Sequence, residues 1–279
     1  MTRLRTLLIV LISAAGGAAL PTLLHDRRAA GILDDERVTL LEYHALGRRL
    51  ARDYLRNRIA PDGRTLLEVV QACTPACVRV DVVLARRGRV EIIEHASGVV
   101  VAAGRYVLTA GHAVREEGIR TIRVLLADGT EIAARVAHRK LEPWKDGGED
   151  WAVLELGEDR PADLTSLPLG EIDDGTIVVA VGYSDQIGAD ECGLMVYSKP
   201  RTPLEPLPFP MYVFKDAPIT LQPTAGAVPL GGLSGAPVVN ERGEVVALFV
   251  EETRERDYVM RVHFGASSVV AVRELLGGD

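Results

Sequence analysis

The sequence has no excess of basic residues. It carries 32 Lys and Arg against 39 Asp and Glu, a formal net charge of −7 over 279 residues. Nothing in that balance attracts a phosphate backbone, so nucleic acid is excluded as an expected partner. Cysteine is scarce, with three residues at Cys73, Cys77 and Cys192. An odd number leaves at least one thiol free or joined to another chain. Cys73 and Cys77 are near enough in sequence to be candidates for a bridge in an oxidising compartment. No histidine stands at ligand spacing from them, so no metal is expected, and no cofactor either. Internal repeats and low-complexity tracts are also absent. What remains is the composition of an ordinary folded protein, 47 % hydrophobic and 25 % charged.

Only one long hydrophobic run occurs. Arg3 and Arg5 precede an uncharged stretch from Leu7 to Leu20, with Gly17 and Ala19 two apart near its end. A basic flank, an apolar centre and small residues describe a secretory signal. Continued through Pro21 to Leu24, the run reaches the lower limit of a membrane span. Residues 1–24 are therefore expected to be a signal peptide or an N-terminal membrane anchor. Either one places the rest of the chain outside the cytoplasm: periplasmic, secreted, or held at the membrane.

Two textures follow. In residues 25–75, Leu40, Leu41, Tyr43, His44, Leu46, Leu50, Tyr54 and Leu55 recur at helical spacing after Asp34 and Asp35, and Pro61-Asp62-Gly63 supplies a turn. A second helix is expected over Leu66–Ala72. This segment reads as a helical stalk or pro-like region. From Cys77 onward, short Val- and Ile-rich segments are separated by Gly, Asp and Pro. Thirteen of them read as strands, among them Val78–Leu84, Val90–Glu94, Gly98–Ala102, Tyr106–Thr109, Trp151–Leu156, Met211–Phe214 and Val245–Val250. So many short strands imply an all-β sandwich or barrel. Ser267–Leu276 reads as a C-terminal helix capped by Ser267 or Ser268. The expected domain is residues 76–279.

Three segments carry chemistry. Gly231-Gly232-Leu233-Ser234-Gly235-Ala236-Pro237 sets a serine among glycines, which allow a tight turn and bring backbone N–H groups near a reacting carbonyl. The N–H groups of Gly232 and Ser234 are candidates for an oxyanion hole. A serine hydroxyl needs a base, and Thr109-Ala110-Gly111-His112 offers one beyond a strand end, with small neighbours leaving room for substrate. The other five histidines, His25, His44, His95, His138 and His263, sit in no comparable context. The base must be oriented by a carboxylate, and Asp150 stands at the start of the apolar segment Trp151–Leu156. Asp128, Asp146, Asp159 and Asp163 read as solvated loop acids.

The order His, Asp, Ser is that of the chymotrypsin fold. Gly98-Val99-Val100 with Val107-Leu108-Thr109-Ala110-Gly111-His112 resembles the histidine segment of trypsin-like serine peptidases. Asp150-Trp151-Ala152-Val153-Leu154 resembles the aspartate segment of the bacterial HtrA-like branch, and Gly232-Leu233-Ser234-Gly235-Ala236-Pro237 the nucleophile segment. The resemblance covers about residues 78–272. It implies two packed six-stranded antiparallel β-barrels, flanked here by the N-terminal helical segment and the C-terminal helix. It also implies a His112, Asp150, Ser234 triad in the cleft, and protein or peptide substrates.

The sequence departs from the family at three points. Leu233 stands where digestive relatives have an aspartate that accepts a freed N-terminus, Ala236 replaces a glycine, and no PDZ-like domain is expected to follow. The resemblance also suggests a specificity pocket walled by Val228 and Pro229 on one side and Phe249, Val250 and Glu251 on the other. A different class of function stays open: a catalytically silent trypsin-like domain that binds or scaffolds. The sequence says nothing of oligomeric state.

Overall fold

The computed structural model describes residues 47–86, 89–115, 119–142, 149–183, 192–199, 201, 219–225, 232–256 and 259–277. The apolar run of residues 7–24 lies outside them, as does the expected strand Met211–Phe214. Among the described residues no helix is long and apolar enough to cross a membrane.

Residues 47–56 are helical, within the segment expected to be so. The helix Leu66–Cys73 begins at a reciprocal cap. The Glu68 N–H donates to Thr65 Oγ1 (3.2 Å), and the Thr65 N–H donates to the Glu68 carboxylate (2.8 Å). The segment packs as part of the body: Ala51, Leu55, Leu66, Val69, Val70 and Cys73 are buried in the same core cluster as the strands that follow. The Cys73 thiol donates to the Gly243 carbonyl (3.7 Å), and the Cys77 thiol to the Cys73 carbonyl (3.6 Å). All three cysteines are free. Burial pushes the Cys73 thiol up to about 11.

Six strands close into an antiparallel barrel: β1 (Cys77–Arg86), β2 (Arg89–Val101), β3 (Tyr106–Thr109), β4 (Ile119–Leu125), β5 (Glu131–Leu141) and β6 (Asp150–Leu156), in the order β1-β2-β3-β6-β5-β4. Alternation drives the closure. Val78, Val80, Val82 and Leu84 of β1 are buried at every second position, as expected for one face of a barrel wall. Bulges at Val82/Val83 and between Val136 and His138 let the long strands curve. The two segments Val90–Glu94 and Gly98–Ala102, expected as separate strands, are one continuous strand. A Cβ on Gly98 would stand 2.8 Å from Val107 Cγ1 and 2.9 Å from the Leu108 carbonyl, so the glycine there serves close strand approach, not a break.

The second half holds β7 (Ile177–Tyr183), β8 (Cys192–Ser198), β9 (Ile219–Thr220), β10 (Gln222–Ala225), β11 (Pro237–Val239), β12 (Val245–Arg256) and β13 (Val259–Ser268). They form one sheet in the order β10-β8-β7-β11-β12-β13-β9. Among the described residues this sheet does not close, so one barrel of the expected two is seen. The short strands β9 and β10 carry no alternating pattern that the sequence reveals. The C-terminal helix is shorter than expected, Val270–Leu275. Ser267 belongs to β13 and is fully buried, and Ser268 Oγ accepts the Val270 N–H at 3.2 Å. Both serines expected as the cap therefore belong to β13, and the N-cap is Val269, with no side-chain cap hydrogen bond.

The two halves share a core. Val179, Val181, Tyr183, Val196, Val239 and Leu248 lie in the barrel's apolar cluster, while Val178, Ala180, Tyr197, Leu221, Val238 and Phe249 build a second cluster within the sheet.

Candidate active site

Strand pairing brings the first two residues of interest to one end of the barrel. β3 pairs with β6, with Thr109 opposite Ala152. His112 lies three residues past Thr109, in the 3₁₀ turn His112–Val114, and Asp150 lies two residues before Ala152. The Arg139 guanidinium donates to the Val114 carbonyl (2.7 Å) and closes that turn.

The contact between them is two-pronged. His112 Nδ1 is 2.6 Å from Asp150 Oδ2, and the His112 backbone N–H donates to Asp150 Oδ1 at 2.8 Å. Both carboxylate oxygens are thus engaged by one residue, which fixes the carboxylate plane and the imidazole together. An ionised carboxylate only accepts, so the proton on this side of the ring is on Nδ1, and Nε2 is left as an acceptor. Asp150 is 2 % exposed, whereas the His112 side chain keeps 25 %, so the ring is reachable from the side away from the acid. Asp150 is held in turn by the second half of the molecule: its backbone N–H donates to Ser267 Oγ (2.8 Å). Gly111 makes room for the pair. A Cβ there would sit 2.9 Å from Asp150 Oδ1 and 2.6 Å from the Lys140 carbonyl.

Ser234 reaches the same end from the other half, in the turn before β11. It is partly exposed. Gly232 and Gly235 have φ of 89° and 86°, the left-handed region that favours glycine. A Cβ on Gly235 would lie 2.5 Å from Thr109 Oγ1 and 2.7 Å from the Ala110 N, so the turn sits directly on the strand end that leads to His112. Among the described residues no hydrogen bond joins His112 to Ser234.

The carbonyls of this turn are tied. The Leu233 carbonyl accepts the Ala236 N–H (2.8 Å), the Ser234 carbonyl accepts the Ser97 N–H (2.9 Å), and the Gly232 carbonyl accepts from Ser97 Oγ (3.0 Å). The Gly235 N–H donates to the Phe249 carbonyl (2.7 Å). Among the described residues none takes the N–H of Gly232 or Ser234. Leu233 is fully buried in the apolar cluster of the second sheet and anchors the turn from beneath.

The other residues named from sequence are placed less fully. Val228, Pro229 and the Glu251 side chain lie outside the described residues. Phe249 is fully buried with its ring 5.8 Å from that of Tyr197, and Val250 is 1 % exposed. Their stretch meets the serine turn through the Phe249 backbone. Ser97 is absent from the sequence reading, and Thr109 and Ser267 enter it only as a strand end and a helix cap, with no part in the site. Each is a small hydroxyl inside an apolar strand, and nothing in the sequence distinguishes it from a Ser or Thr on a solvated face. His95 is bound by buried Asp81 (2.8 Å), a structural partner well away from the serine turn in sequence. Among the described residues no three His, Cys, Asp or Glu side chains gather as metal ligands.

The chain is similar in sequence to known proteins. The family model of the trypsin-like peptidase domain matches residues 96–248, which hold all three residues of the site. The mitochondrial serine protease HTRA2 of Bos taurus is 31 % identical over 193 residues, covering 66 % of this chain and 37 % of that protein. The chain therefore spans well under half the length of that relative. A closed barrel with His112 on Asp150 at its end, a glycine-bounded serine turn packed against it and a family match over more than half of the 279 residues place this chain in the trypsin-like serine peptidase family, on its HtrA-like side.

Proposed function

We propose that the chain is a serine endopeptidase that hydrolyses peptide bonds through an acyl-enzyme. The observation that carries the reading is the two-pronged Asp150–His112 contact, beside a serine turn whose Gly232 and Ser234 N–H groups are unclaimed among the described residues. In this reading His112 Nε2 takes the Ser234 hydroxyl proton as Oγ attacks the scissile carbonyl. The Gly232 and Ser234 N–H groups hold the oxyanion. His112 then gives that proton to the leaving amine, the C–N bond breaks, and the acyl group stays on Oγ. Water, deprotonated by the same imidazole, releases it. Asp150 keeps the imidazole in the required tautomer and stabilises its charged form.

The silent-domain reading has one observation in its favour, the lack of a described His112–Ser234 hydrogen bond. That contact is commonly long without substrate and tightens when the site fills. Cleavage of unstructured peptides by the purified chain, lost in Ser234→Ala, is the expected outcome. Equal cleavage by Ser234→Ala removes the assignment, and no cleavage by either form favours the silent domain.

Three finer proposals accompany this one. The sheet of the second half corresponds to the second barrel that the family resemblance implies. The pocket beside Ser234, formed from Val228, Pro229, Phe249, Val250 and Glu251, carries no acid on its first wall, so apolar side chains are preferred at the cleaved bond. A peptide library dominated by Arg or Lys there contradicts that preference. Export is proposed from residues 1–24: a reporter fused after residue 30 is active outside the cytoplasm, and a cytoplasmic signal overturns it.

A further inference from the structure

We infer that Ser97 is the positioning residue for the oxyanion turn; the inference rests on Ser234 being the nucleophile. Ser97 lies on β2, in the barrel, and is fully buried. Its polar groups serve the serine turn and the strands beside it. The backbone N–H donates to the Ser234 carbonyl (2.9 Å), and the hydroxyl lies 3.0 Å from the Gly232 carbonyl. That hydroxyl also accepts the Tyr183 N–H (2.9 Å) and lies 3.1 Å from the Tyr183 carbonyl. Its one proton is therefore shared between two acceptors, one on β7 and one on the turn. The Ser97 carbonyl accepts the Thr109 hydroxyl (2.7 Å), so the residue itself is held from the strand that leads to His112.

The consequence follows from which peptide planes are fixed. A peptide plane carries the carbonyl of one residue and the N–H of the next. Ser97 holds the plane between Gly232 and Leu233, and the plane between Ser234 and Gly235. These flank the plane that carries the Ser234 N–H, whose own carbonyl, on Leu233, is held by the Ala236 N–H. Three successive planes are thus locked, the outer two by one side of β2. Gly232 has φ of 89°, and a glycine in that region rotates readily. Without the Ser97 hydroxyl the plane between Gly232 and Leu233 keeps no described partner, and the two oxyanion donors on either side of it lose their mutual orientation. Leu233 is buried in apolar surroundings, and Ser97 supplies the polar anchor from the barrel.

Ser97→Ala removes the hydroxyl and keeps the backbone N–H. An oxyanion donor removed outright costs about 10²–10³-fold in kcat. A residue that only orients the donors is expected to cost about 10- to 100-fold, with KM held within about twofold. Affinity for a peptide boronate, which mimics the tetrahedral state, falls by the same factor as kcat, and affinity for a cleaved-product peptide does not. A purely structural role moves melting temperature and KM without that parallel. Thr109→Val, which frees the Ser97 carbonyl without a change of volume, provides a second reading if Ser97→Ala does not fold; its kcat falls with KM held. An active wild type with unchanged kcat in the folded variant overturns the inference alone. A wild type that cleaves nothing overturns the peptidase reading, and the inference with it.

Discussion

Asp150 has both oxygens committed to His112, and its own N–H to Ser267. Asn at this position keeps the shape, but its one oxygen must accept the His112 N–H; that turns the NH₂ toward Nδ1, and the imidazole then adopts the other tautomer. Asp150→Asn is expected to leave folding intact and lower kcat by about 10⁴-fold, the scale on which tautomer control acts. A loss of under tenfold, measured on peptide substrate, contradicts the role. At this scale the sequence was informative where side-chain chemistry sits beside unusual backbone. Ser234 is marked by its glycines, and Gly235 indeed stands at φ 86° against Ala110. Ser97 and Ser267 carry no such mark. Their partners are 135 and 117 residues away, and only the closed barrel brings them together.

At the scale of elements, period-2 alternation made the barrel strands legible, and the structure sets His112 just past the end of β3 and Asp150 at the start of β6. β2 was divided in the sequence at His95, Ala96 and Ser97, between the apolar segments Val90–Glu94 and Gly98–Ala102. Ser97 and Gly98 are small where the serine turn and β3 press on that point of the strand. Polar pairs inside the barrel wall were not legible either. Asp81 on β1 is 2 % exposed and meets Arg79 (2.9 Å) and His95 (2.8 Å). Burial alone raises its carboxyl pKa, but the Arg79 and His95 hydrogen bonds hold it below the ordinary aspartate value. A depressed carboxylate stabilises the folded state above its unfolded pKa, about 3.9, and that stabilisation is lost as pH falls through the folded value. Asp81→Asn should therefore narrow the difference in urea midpoint between pH 7 and pH 3 relative to wild type. An unchanged difference means that the pair contributes nothing to acid unfolding.

For the whole molecule, the helical segment before β1 is the clearest gain over sequence. Helical periodicity located the helices, yet it could not say what their apolar face covers. Leu55 and Ala51 are fully buried, and Cys73 rests on the Gly243 turn between β11 and β12. Residues 47–76 thus bridge the barrel and the second sheet. Leu55→Ala is expected to destabilise the chain by about 2–5 kcal/mol, the range for a buried leucine left as a cavity. A destabilisation under about 0.5 kcal/mol in equilibrium unfolding means that the segment is a detached stalk. The same joining of halves assembles the site: His112 and Asp150 come from the barrel, Ser234 and Ser267 from the second half. The measurement that tests this account most directly is labelling of the folded wild-type chain with a fluorophosphonate, with the adduct located by peptide mass spectrometry. The account predicts one adduct, on Ser234, absent in Ser234→Ala and strongly slowed in His112→Ala. An adduct on another residue, or none on a folded chain, contradicts it.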